Sequence, residues 1–228
     1  GASETNEPEI DSQEMGSEQV EEEALPATEE VIPTETEAPP EPTPTPVVLY
    51  SDDFTDPESG WERYNEFDGV LDYVEDGYRM NVLPENSLYW VVGPEKFGDL
   101  RIDTAVQHAG RSEQSGMGLM FRYDSEDFFF YRVLLQPDGT YAAFRWENAT
   151  MQFLDAEGLQ QSEIVSDGDP YHIGLECNGE ILRFYVNGEL LQEVEGIEPG
   201  EGQFGLLARS SMEEEVDVVF QSVVVFEP

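Results

Sequence analysis

Arginine is scarce in this chain, nine among 228 residues, so the position of each one carries information. Arg122, Arg132 and Arg145 fall on three consecutive expected strands and can project from one sheet face, joined by Tyr141 and Phe130. Guanidinium forks beside aromatic rings suit sugars. The rings stack on the apolar C–H side, while hydroxyls or uronate carboxylates accept hydrogen bonds. The competing reading is structural, a cross-strand pairing of the arginines with Glu147 or other acids. Trp90, beside Tyr89, is a further ligand candidate on a face or rim, whereas Trp61 reads as core. Trp146 follows Arg145 directly, so it points into the core if the arginines point out.

Other chemistry is poorly represented. Cys177 is the only cysteine, which excludes an intrachain disulfide and a cysteine-rich zinc site; His108 and His172 lie in separate segments. No Gly-x-Ser-x-Gly elbow is present to suggest a serine nucleophile.

The elements that must position these residues read as strands. Tyr171 to Cys177 alternates, with Ile173, Leu175 and Cys177 on one side. Asn178-Gly179 and Asn187-Gly188 then separate it from two more alternating runs, Ile181 to Val186 and Glu189 to Val194. Asn-Gly between alternating runs predicts a type I′ hairpin, because both central residues need positive φ. A second meander covers Gly116 to Tyr123, Phe128 to Leu135 and Thr140 to Trp146, with turns at Asp124–Asp127 and Gln136–Gly139. Strands near 77–83, 87–92 and 99–107 precede it, and Gln203 to Ala208 and Val216 to Phe226 close the chain. About ten to twelve strands without intervening helices predict a two-sheet antiparallel sandwich.

Residues 1–46 are of another kind. They hold fourteen acidic residues, no Lys or Arg and no aromatic residue, and end in the proline-rich run Ala38 to Pro46. Such a segment buries too little apolar surface to offset about 1–2 kcal/mol of backbone entropy per residue. It is expected to be a disordered stalk with an extended, polyproline-like end, and the folded domain is expected over 47–228. The net charge of −41 divides into −14 on the stalk and −27 on the domain, where 37 acidic residues face 10 basic ones. That balance excludes phosphate-directed binding of nucleic acid and disfavours an anionic membrane surface. No run approaches the ~20 apolar residues of a membrane span. The opening Gly-Ala-Ser-Glu-Thr is similar to material trimmed just after a lipoprotein cysteine or a transmembrane segment, which predicts an extracellular or surface-anchored domain.

In order along the chain, Asp53-Phe54 with Ser59-Gly60-Trp61, Gly118 to Asp124, Phe184 to Gly188, Gly205 to Ala208 and Val218 to Phe220 form a set. On this set the domain resembles the concanavalin A-like jelly-roll superfamily, in particular laminin-G-like and keto-disaccharide-hydrolase-like domains of bacterial surface proteins. The resemblance implies a jelly-roll sandwich and an activity or binding function toward glycosides. Retaining glucanases of the superfamily carry Glu-x-Asp-x-(x)-Glu on one strand, with carboxylates about 5–5.5 Å apart. Here Glu215-Val216-Asp217 is followed by Val219 and Phe220 where the final acid belongs, so the strand reads as an acidic edge. The resemblance also implies a structural calcium ion, for which Asp53 (or Asp52) and Asp217 are the candidates if the jelly roll brings its ends together.

The resulting expectation is a non-catalytic recognition domain whose partner is a glycan or cell-surface polysaccharide. The candidate ligand residues are Arg122, Arg132, Arg145, Tyr141 and Trp90. A glycoside-active hydrolase and an adhesive domain that binds protein are the alternatives.

Overall fold

The structure, a computed structural model, describes residues 46–110, 112–167 and 170–228. The expected stalk over 1–46 lies, except for Pro46, outside the described residues.

The described chain is built from two antiparallel sheets. The first contains β1 (Val48–Asp52), β2 (Tyr64–Glu66), β3 (Gly69–Val74), β4 (Gly77–Val82), β6 (Leu100–His108), β12 (Tyr171–Asn178), β13 (Ile181–Val186), β14 (Glu189–Glu195) and β16 (Val216–Phe226). Its order is β14-β13-β12-β6-β16-β4-β3-β2, with β1 also paired to β16. The second sheet contains β5 (Leu88–Phe97), β7 (Gly116–Asp124), β8 (Phe129–Leu135), β9 (Thr140–Glu147), β10 (Thr150–Phe153), β11 (Gln160–Gln161) and β15 (Gly202–Arg209). Its order is β10-β9-β8-β7-β15-β5, with β11 paired to β9. The one helical element among the described residues is a 3-10 turn, Glu163–Asp167. This is the two-sheet antiparallel sandwich that the alternation predicted, in the jelly-roll form that the resemblance implied. Sixteen strands occur among the described residues rather than ten to twelve; the unexpected ones are β1, β2, β3, β10 and β11, of which β2, β10 and β11 are too polar or too brief to show a period.

Period-two alternation sends one side of each strand between the sheets. From the nine-stranded sheet come Met80, Ile102, Leu175, Phe184, Val218 and Phe220; from the seven-stranded sheet come Met117, Leu119, Phe121, Tyr131, Val133 and Leu206. At one end Phe54, Trp61, Tyr78 and Phe204 pack ring against ring at 5.6–6.0 Å. The Trp61 indole Nε1 donates to Asp52 Oδ2 at 2.9 Å, so the core tryptophan anticipated from the sequence is buried with its polar edge satisfied.

The two Asn-Gly sites fold differently. At Asn187-Gly188 both residues have positive φ (52° and 82°), as the type I′ expectation requires. At the other site Asn178 remains in β12, opposite Ile181, and positive φ begins at Gly179 (58°). The central pair there is Gly179-Glu180, a glycine-first pattern, so the expected turn is displaced by one residue.

Candidate functional site

The seven-stranded sheet has a second apolar side. Residues that alternate with its inward-pointing ones (Met120 on β7, Phe130 and Leu134 on β8, Ala142 and Phe144 on β9, Leu207 on β15) form a cluster separate from the intersheet core. Leu88, Trp90 and Val92 from β5, with Tyr123 and Trp146, pack against it half-buried. Because every member comes from one sheet, this cluster is the sheet's outer face.

Rings dominate that face. The Trp146 and Phe130 rings lie parallel, 6.1 Å apart with 8° between planes. Trp90 is 6.1 Å from Phe130, and Phe128 stands edge-on between Trp90 and Trp146 at 5.9 and 6.4 Å. Phe128 is held at φ 50° and remains 39 % exposed. Its backbone is left-handed, a strained state for a bulky residue, and the turn from β7 into β8 holds it there. On edge strand β10, Met151 pairs with Trp146 and Phe153 with Phe144, and both side chains are exposed.

Arg132 sits in the middle of these rings. Its guanidinium carbon lies 4.9 Å from the Phe144 ring centre, Nη2 is 2.9 Å from the Met151 sulfur, and the side chain is 5 % exposed. No carboxylate among the described residues lies within ion-pair distance, and Nε is buried without a hydrogen-bond partner, as is Nε1 of Trp146. Burial pushes the Arg132 guanidinium down to about 10, and the positive charge of Arg209 adds to the effect. A buried cation without a counter-charge costs stability, and buried donors without acceptors are rare in folded proteins.

The expectation that Arg122, Arg132 and Arg145 share a face is corrected by register. β8 and β9 pair Arg132 with Phe144 and Tyr131 with Arg145, so Arg132 and Arg145 point to opposite sides of the sheet. Arg145 donates to Glu147 at 2.9 Å on its own strand and to Glu198 at 2.8 Å in the segment between β14 and β15, so it pairs with acids as the structural alternative held, but not across strands. Arg122 lies in a bulge between Phe121 and Asp124 at φ 52°. It is 2 % exposed, donates to the Glu198 and Gly179 carbonyls, and pairs with Asp99 at 3.1 Å. Tyr141 is also on the inner side, with its hydroxyl 2.8 Å from Gln160 Oε1 and 3.2 Å from the Leu191 carbonyl. Trp146 is the converse case: it lies on the outer face with Arg132 rather than in the core. Of the five candidate ligand residues, Arg132 and Trp90 share this face; Tyr123, Phe128, Trp146, Met151 and Phe153 join them.

The two aspartates suggested for calcium are not brought together. Asp53 Oδ1 accepts from the Thr55 amide and hydroxyl at 3.1 and 2.7 Å. Asp217 is held by Arg79 through two bonds of 2.8 and 2.6 Å. Asp52, next to Asp53, pairs with Val223, six residues along β16 from Asp217, or about 20 Å of strand. No group of three His, Cys, Asp or Glu side chains that could hold a metal ion occurs among the described residues. No helix of the described residues is long and apolar enough to cross a membrane.

No family model matches the chain, and no curated protein matches it. Solved structures of the same fold do. A carbohydrate-binding module, CBM66, from Bacillus subtilis is 19 % identical with a TM-score of 0.57, covering 72 % of this chain and 92 % of that one. A Bacillus subtilis protein of unknown function with a galectin-like fold is 12 % identical with a TM-score of 0.61, covering 79 % and 96 %. A prokaryotic β-1,3-1,4-glucanase from a mouse hindgut metagenome is 9 % identical with a TM-score of 0.58, covering 78 % and 98 %. These likenesses define the class by its fold, a galectin-like jelly-roll β-sandwich, which hosts both a carbohydrate-binding module and glycoside hydrolases.

Proposed function

We propose that this chain is a non-catalytic carbohydrate-recognition domain that works outside the cell and binds its glycan on the outer face of the seven-stranded sheet. The observation that carries the reading is the ring-lined face with unused donors. Trp90, Phe128, Phe130 and Trp146 surround it, and two buried N–H groups, Arg132 Nε and Trp146 Nε1, have no acceptor among the described residues. Sugar rings supply what such a face lacks: C–H faces for the rings to cover and hydroxyl oxygens to accept the donors. The fold shared with a carbohydrate-binding module supports the same reading. Met151, a flexible thioether lying over Arg132 and 44 % exposed, is the side chain that a ligand displaces.

The test is a glycan array probed with the full chain, repeated with Trp146→Ala. Binding of a defined glycan set that disappears in the variant supports the proposal. An array on which the folded wild-type chain binds nothing overturns it.

A further inference from the structure

The arginines of the described chain fall into two groups. Arg63, Arg79, Arg101, Arg122, Arg145 and Arg183 each lie within 4.0 Å of a carboxylate. Arg132 and Arg209 have no carboxylate at that distance among the described residues; Arg209 donates instead to the Asn86 side-chain oxygen at 2.7 Å. In a domain with 37 acidic and 10 basic residues, an arginine without an acid is the exception. Both exceptions are on the same face.

Alternation fixes the placement of Arg209. Leu206 and Ala208 point into the intersheet core and Leu207 belongs to the outer cluster, so Arg209 points outward on β15. It pairs with Gly116 of β7 and Leu88 of β5, while Arg132 pairs with Met120, four residues along β7 from Gly116. The two Cα atoms are therefore about 13 Å apart along the strands and about 9.5 Å across two strand spacings. Two long guanidinium side chains can span that gap toward one oligosaccharide. Arg209 is close enough for its charge to lower the proton affinity of Arg132. Between them the outward positions are Gly118, Leu134 and Leu207, which offer no competing polar group.

The face also lacks acids. The outward positions of β5, β7, β8, β9, β10 and β15 hold aromatic, aliphatic, methionine, glycine, threonine, glutamine, proline, lysine and arginine residues, and no Asp or Glu. The chain thus keeps its own carboxylates away from two cations on a face lined by aromatic rings, one of which, Phe144, lies under Arg132. Resting on the carbohydrate reading above, we infer that the ligand is an acidic saccharide whose uronate carboxylates bind Arg132 and Arg209. A guanidinium fork matches a carboxylate in geometry and charge, and charge-assisted bonds of this type are about twice as strong as neutral ones.

The experiment is calorimetric titration of the full chain with three uronate oligosaccharides (galacturonate, alginate and hyaluronan fragments). Each is compared with the same fragment after its carboxyl groups have been reduced to primary alcohols. A sulfated neutral oligosaccharide and hexaglutamate are included as controls. The expected result is that at least one uronate fragment binds about tenfold or more tightly than its reduced form. Arg209→Gln, a half-exposed position that leaves the core untouched, is expected to remove this preference. Equal binding of acidic and reduced forms, or a preference that survives Arg209→Gln, overturns the acidic-ligand inference while carbohydrate recognition stands. So does binding of neutral sugars with silence toward every uronate fragment. Preference for the sulfated sugar, or hexaglutamate binding as tightly as the uronates, replaces the uronate with another anion. Silence toward every saccharide removes the carbohydrate reading as well.

Discussion

The indole of Trp146 lies parallel to the ring of Phe130, 6.1 Å away, although the two residues come from neighbouring strands, β9 and β8. Paired positions on one face bring the rings together: Phe130 is buried, Trp146 is half-buried beside it, and the pair's one polar atom, Trp146 Nε1, is buried without a partner among the described residues. Trp146→Ala removes the more accessible ring and the donor, and is expected to lower glycan affinity about tenfold or more in titration. His172→Ala is the control. That side chain is exposed at the start of β12 on the other sheet, and its loss should leave affinity unchanged.

Arg132 is expected to separate binding from stability. Its folded pKa lies below the usual arginine value, so the charged form is penalised by folding at every pH below about 10. Each pKa unit corresponds to about 1.4 kcal/mol, and replacement of a buried, uncompensated charge by an apolar side chain of similar size is often neutral or stabilising. Arg132→Met should therefore melt at the wild-type temperature or above it and bind glycan at least tenfold more weakly. A fall in melting temperature of many degrees would instead make Arg132 a structural residue.

Much of the sandwich is legible in the sequence because it rests on period two. Ile173, Leu175 and Cys177, or Met117, Leu119 and Phe121, declare an inward side by themselves. The arginine trio shows where that legibility ends. Alternation says that Arg132 and Arg145 differ in face only once the pairing register of β8 with β9 is known, and register is a long-range property. Arg122 is harder still, since a bulge with positive φ at that residue turns it and no local pattern announces it. The outer aromatic face is partly legible, through Trp90, Phe130 and Arg132. Met151 and Phe153 carry no such signal because β10 is a four-residue edge strand, and Arg209 none because it is the last residue of its strand.

Arg122 is expected to show the opposite behaviour to Arg132. It ties the β7 bulge to the β12–β13 turn through Gly179, to the Glu198 carbonyl and to Asp99, with almost no solvent access. Arg122→Ala removes the donor to two carbonyls and empties the buried space its side chain fills, which should cost about 2–4 kcal/mol in urea unfolding. The fraction that folds should bind glycan within twofold of wild type, because Arg122 does not reach the outer face. Loss of binding without loss of stability would return it to the candidate site.

Asp68 links the rim of the sandwich to pH. The Tyr64 hydroxyl donates to one of its oxygens and the Tyr89 hydroxyl donates to the other at 2.6 Å. These bonds, the Tyr64 one first, hold the carboxyl below its ordinary value. The unfolded chain therefore takes up this proton before the folded one does. The contribution to stability is complete above the ordinary carboxylate value near 3.9 and is lost as pH falls through the lower folded value. The same cluster acts in the other direction at high pH. Tyr64 is pushed up to about 12, chiefly by its bond to Asp68, and Tyr89 is pushed up to about 12, by burial and then by Asp68. Their contribution is present below pH 10 and disappears as pH rises through about 12. Asp68→Asn keeps the shape and removes the charge. Its urea midpoint should change less between pH 6 and pH 2.5 than that of the wild type, and ultraviolet titration should find Tyr64 ionising at lower pH in the variant. Identical acid limbs for the two proteins would mean that the paired hydroxyls contribute nothing to acid stability.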